Sequence, residues 1–212
     1  MQREKRTVSG RLLEADFFPV FRSGRAMPTR APKEKQSSAA QAKYNRQQAI
    51  KILIRLVNAN FDDGDYLMHP TYAQAQAPKD WDEAQKNIRN YVRRVRDARK
   101  RKLREVEQNI EDAEALCRVA PNKYIEQTLS RLVRTAEKLA EPLKYAIAIE
   151  EVTYKTGEKK GQTNYHYHLF ITGGLSRSAM ESLWNKGERV NCDRFRPDTF
   201  GPEAAARYIS KQ

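Results

Sequence analysis

The segment Thr163-Asn164-Tyr165-His166-Tyr167-His168-Leu169-Phe170-Ile171-Thr172 constrains the fold more than any other part of the chain. Tyr165, Tyr167, Leu169 and Ile171 alternate with His166 and His168, and side chains at i and i+2 of a strand share a face. One face therefore packs against a core, while the other carries two imidazoles aimed at one point. A strand of this kind belongs in a sheet that is covered on its apolar side. Two imidazoles on a rigid strand leave most coordination positions of a cation open, as a metal that must also hold a substrate requires. The ordinary alternative is a half-buried strand with two polar residues on its wet side.

Residues 145–154 read as the partner strand, joined to the histidine strand through the turn Lys155-Thr156-Gly157-Glu158-Lys159-Lys160-Gly161. Glu150 and Glu151 lie on this strand and point to opposite faces, so at most one of them can join the histidines. Further strands are expected near 64–72 and 188–196. His69 could also approach the histidines from the first core strand, but the adjacent Pro70 distorts that strand and favours a structural role. A helix is expected over 38–58, with Ile50, Leu53, Ile54 and Val57 on its apolar face. A second starts near Asp80 or Asp82 and keeps Ala84, Ile88, Tyr91, Val92 and Val95 at helical spacing. Its outer face is assigned Arg89, Arg93, Arg94, Arg96 and Arg99, running into Lys100-Arg101-Lys102. Such a charge run is either a solvated face or a phosphate contact. Residues 103–141 read as an inserted helical hairpin turning at Ala120-Pro121-Asn122. Ser176 is a good N-cap for a short helix that packs Leu183 and Trp184 inward.

Charge sets the class of partner. With 40 Lys and Arg against 27 Asp and Glu, the formal net charge is +13, which points to a polyanion. Cys117 and Cys192 have no paired spacing, no signal peptide is expected and no apolar run is long enough to span a bilayer. The expectation is a protein of the cytoplasm with no membrane partner. Residues 1–37 read as a basic arm, irregular except for a short apolar strand near 12–21, and residues 38–212 as one domain.

The C-terminal segment Pro202-Glu203-Ala204-Ala205-Ala206-Arg207-Tyr208-Ile209-Ser210-Lys211 reads as a helix, with Pro202 in its first turn and Tyr208 and Lys211 on one face. Making a phenoxide at pH 7 costs about 4 kcal/mol, which a divalent cation and an ammonium both lower. The order His166-Tyr167-His168, then Tyr208-x-x-Lys211, resembles the HUH endonucleases. With Leu12-Leu13-Glu14-Ala15-Asp16-Phe17-Phe18, His69-Pro70-Thr71-Tyr72 and Phe195-Arg196-Pro197-Asp198-Thr199-Phe200-Gly201 as further matches, the chain looks more narrowly like a rolling-circle replication initiator (Rep) of bacterial phages, prophages and plasmids.

That resemblance implies an α+β fold: an antiparallel sheet with flanking helices, a palm with a ferredoxin-like βαββαβ core, here carrying the 103–141 insertion. It makes residues 38–212 the catalytic domain, with 12–21 as its edge strand. It implies Mg²⁺ or Mn²⁺ held by His166, His168 and Glu150, with Glu151 as the alternative, and imidazole ligands bias affinity towards Mn²⁺. Tyr208 would be the nucleophile and Lys211 its positively charged neighbour. Arg93, Arg96, Arg99, Arg207 and Tyr72 would contact nucleic acid. The implied activity is nicking and joining of single-stranded DNA at a replication origin in a bacterial host cell, through a 5′-phosphotyrosine, alongside host replication proteins. The resemblance also implies a chain that continues beyond Gln212. Two other readings fit these residues: a transposase or relaxase with the same site, and a non-catalytic module in which Tyr165 or Tyr167 stacks bases on a sheet, as in RNA-recognition folds.

Overall fold

The computed structural model describes residues 2–20, 38–157, 160–187 and 190–196. These form an α+β structure with antiparallel sheets, in two compact units that divide between Asn60 and Phe61. The sequence reading divides the chain at residue 37, before the first helix.

In the first unit, β1 (Gln2–Ser9) and β2 (Leu12–Pro19) form an antiparallel hairpin. The sequence reading expects no strand before residue 12 and an edge strand near 12–21; β2 instead pairs with β1 in a sheet of its own. The charged β1 segment has little strand propensity, but its register sets Lys5 opposite Asp16 and Val8 opposite Leu13, pairs that stabilise a ladder. The tight turn depends on Gly10, whose φ is +57°. A Cβ there would also clash with the Asn58 carbonyl oxygen. Helix α1 (Ala39–Asn60) starts at Ser38, whose hydroxyl accepts from the Gln41 N–H, and it buries Ile54 and Val57. Arg55 pairs with Glu14 and Lys51 with Asp16 on β2.

The second unit is built on a four-stranded sheet ordered β4-β5-β3-β6, from β3 (Tyr66–Pro70), β4 (Tyr145–Thr153), β5 (Thr163–Ile171) and β6 (Val190–Arg194). All four strands fall where the sequence places them, and every pairing is antiparallel. Between β3 and β4 run α2 (Trp81–Val119) and α3 (Lys123–Ala140), and α4 (Arg177–Ser182) joins β5 to β6. Asp80 caps α2 through the Glu83 N–H, Asn122 caps α3 through the Tyr124 N–H and Ser176 caps α4 through the Ala179 N–H. α2 does not stop before residue 103. Lys100, Arg101 and Lys102 are good helix formers with no Gly or Pro among them, so the first limb of the expected hairpin is the second half of α2.

The core lies between the sheet and α2. Tyr66, Met68, Tyr165, Tyr167, Leu169 and Ile171 face Ala84, Ile88, Tyr91, Val92 and Val95. This alternation sends the histidines to the other side of the sheet. Cys192 is buried within the core, and burial pushes its thiol up to about 12, so it stays neutral. No helix among the described residues is long and apolar enough to cross a membrane.

Candidate metal centre

Because β5 alternates, His166 and His168 leave the same face of the sheet, away from α2. In the β4–β5 register Glu150 stands directly opposite His166, and Glu151 opposite the buried Tyr165. Of the two acids, Glu150 therefore shares the histidine face. β3, on the other side of β5, pairs Met68 with Leu169 on the core face. The next residue, His69, consequently points the other way, towards the two histidines.

The three rings cluster. Centroid separations are 4.9 Å for His69 and His168, 5.1 Å for His166 and His168, and 6.1 Å for His69 and His166. One ring nitrogen from each lies within 4.8 Å of the others. Nitrogen ligands about 2.0–2.1 Å from a metal stand roughly 3 Å apart, so modest side-chain rotations would close the group on a cation. The Glu150 Oε2 is 3.7 Å from His168 Nε2, beside the trio rather than within it.

Of the two roles the sequence allows His69, the structure thus places it with the histidines rather than apart from them. Pro70 does not disrupt β3, because it is the last residue of the strand and His69 keeps its register opposite Asn191 on β6. The signal was present in the alternation of Tyr66, Met68 and Pro70, all buried, with Leu67 and His69.

The surroundings favour neutral imidazoles, the form that binds metals. His168 is buried, and burial holds its pKa below the ordinary 6.5; the neighbouring His166 adds to this and Glu150 opposes it. Burial, then His168 and His166, lower His69 as well, with Asp193 working against them. Along the same face Phe170 packs against Phe61 and Phe195, each at 5.6 Å between centroids, which closes one end of the site with apolar rings. These depressed pKa values have a consequence for the metal-free protein. The unfolded chain takes up protons first, so the stability contributed by neutral His69 and His168 is complete above pH 6.5 and is lost as the pH falls through their lower folded values. Thermal melts in EDTA should show Tm falling below pH 6.5, and a smaller fall in His69→Gln.

The other expected site residues fall in different places. Tyr72 packs against Trp184 and Tyr167, with its hydroxyl bonded to that of Tyr167 and accepting from Asn87 Nδ2 at 3.1 Å. It lies on the core side of the sheet, not among the histidines. Tyr165 and Tyr167 are buried beneath α2, so neither offers a ring for base stacking. Arg93 and Arg96 are exposed on α2. Arg94 is half-buried and donates to the Leu183 carbonyl at 2.9 Å.

Arg99, expected on the same exposed face, is buried instead. It donates to the carbonyls of Lys138, Leu139, Glu141 and Gly173. The physical reason is helical geometry: residue 99 follows Val95 by four and Val92 by seven, so it shares their inward face. Tyr208, Lys211 and Arg207 lie outside the described residues, as does the basic segment 21–37. No family model matches the chain, and no curated protein or solved structure matches it either.

Proposed function

We propose that this protein is a metal-dependent HUH-type endonuclease that nicks and rejoins single-stranded DNA, with replication initiation by rolling circle as its role. The observation that carries the reading is the convergence of His69, His166 and His168 on one face of the sheet. The element order β3, helices, β4, β5, α4, β6 and the strand order β4-β5-β3-β6 support it, since they follow the ferredoxin-like βαββαβ plan that the palm of such enzymes shares. The net charge of +13 suits a nucleic-acid substrate.

In this reading His69, His166 and His168 hold the cation, and Glu150 orients His168 or completes the ligand set. Three imidazoles favour Mn²⁺ over Mg²⁺ in affinity. A bound divalent cation supplies Lewis-acid polarisation of the scissile phosphate. Tyr208 and Lys211 enter on the sequence resemblance. The Tyr208 hydroxyl attacks phosphorus in line, the bond from phosphorus to the 3′ oxygen breaks, and the phenolic proton passes through solvent to the departing oxygen. The products are a 5′-phosphotyrosine and a free 3′-OH that a host polymerase can extend. Lys211 neutralises the phosphate charge. Because the covalent link conserves a phosphodiester, the reverse joining step is available to the same residues.

A denaturing gel tests this directly, with single-stranded oligonucleotides covering candidate origins, in Mn²⁺ or EDTA, and with Tyr208→Phe in parallel. The expected result is a metal-dependent protein band shifted by the mass of the 3′ DNA fragment and absent in the phenylalanine variant. Absence of any adduct across a broad oligonucleotide pool, with the protein folded and metal-loaded, would overturn the nuclease reading.

A further inference from the structure

We infer that the outer face of α2 is a second nucleic-acid contact, a phosphate-binding rail on the side of the sheet opposite the histidines. Lys86, Arg89, Arg93, Arg96, Lys100 and Arg104 are all exposed and recur every three or four residues. With α2 burying Ile88, Tyr91, Val92 and Val95 against the sheet, this spacing lines the six along its solvent side. At 1.5 Å per residue they extend over about 27 Å. None forms a salt bridge with a described carboxylate, although Asp97 lies four residues beyond Arg93; Arg89 donates to the neutral Gln85. The helix then changes sign, with Glu105, Glu107, Glu111, Asp112 and Glu114 following. A solvated helix stabilised by its own charges would interleave the signs at i and i+4. Between Lys86 and Arg104 Asp97 is the one acidic residue, so the cations raise a local potential that suits a polyphosphate backbone.

The rail points away from the metal centre, with the helix and the sheet between them. A strand whose scissile phosphate sits at the histidines cannot lie on the rail over the same nucleotides. The rail therefore holds flanking nucleic acid, through its backbone and without regard to sequence. This rests on nucleic acid being the ligand of the protein, but not on the cleavage chemistry.

Binding in EDTA separates the two. A labelled mixed-sequence single strand and its duplex are titrated with the full chain and with a quadruple Arg89→Gln, Arg93→Gln, Arg96→Gln, Lys100→Gln variant, between about 50 and 200 mM salt. Each lost phosphate contact removes about 0.7 (single strand) or 0.9 (duplex) from the slope of log K against log salt. The expected result is a slope shallower by about 3 to 4 for the ligand that uses the rail, with the circular dichroism spectrum unchanged. A variant carrying Lys at all four positions should recover the slope. An unchanged slope with both probes would overturn the rail, whatever the gel assay shows. A nuclease that fails the gel assay but loses its salt slope on substitution would keep the rail and lose the chemistry.

Discussion

His168→Ala will weaken divalent-metal binding by more than about 100-fold, since even residues that only support a ligand cost about 10–100-fold. His168 sits between the other two rings, 4.9 Å from His69 and 5.1 Å from His166 by centroid. Removing it leaves two ligands where there were three, on His69 and His166, the pair whose rings stand farthest apart at 6.1 Å. Titration calorimetry with Mn²⁺ on the folded variant measures the loss.

The same titration assigns the third ligand. His69→Ala should cost nearly as much as His168→Ala, because it also deletes a ring nitrogen of the trio. Glu150→Gln should cost about 10-fold, as expected of a carboxylate that acts through His168. The reverse order, with His69→Ala silent and Glu150→Gln severe, would return His69 to a structural role and make the carboxylate a ligand.

Why His69 and Arg99 escaped the sequence reading, while the histidine strand did not, is a matter of local pattern. The β5 alternation runs from Tyr165 to Ile171 with bulky side chains on one face and needs nothing beyond the period of a strand. The four sheet strands and the caps Asp80 and Ser176 were legible for the same reason: each depends on residues within a few positions. β3 offers only five residues, and its proline drew attention from the alternation that places His69. Arg99 sits inside a run of cations whose sign masks its helical position among Val92 and Val95. β1 was invisible because its strand conformation comes from the partner across the Gly10 turn, not from its own propensity. Which acid joins the histidines was open in the sequence; the β4–β5 register, a non-local quantity, puts Glu150 on their face.

Arg99→Met should cost about 3–5 kcal/mol of stability while leaving the shape of the side chain largely filled. In the folded protein Arg99 is 3% exposed. Its Nη2 donates to the carbonyls of Lys138 (2.8 Å), Leu139 (3.2 Å) and Glu141 (2.9 Å), and its Nη1 to that of Gly173. The last carbonyls of α3 have no intrahelical donors, so Arg99 closes the end of α3 and ties it to the segment leaving β5. Burial works against the cation, and Glu141 and Asp65 support it. Asp65 reinforces the same junction: it accepts from the Gly173 N–H at 2.9 Å and pairs with Lys138 at 3.2 Å. Methionine fills the volume but donates nothing, which leaves buried acceptors without partners. Urea denaturation should show the midpoint falling on the order of 2 M, given a typical slope of about 1–3 kcal/mol per M. Arg96→Met, three residues earlier and exposed, should stay within about 0.5 kcal/mol. Equal and small effects at both positions would mean that the carbonyls of α3 find other donors, and that the register of α2 rather than its buried guanidinium holds the helical pair to the sheet.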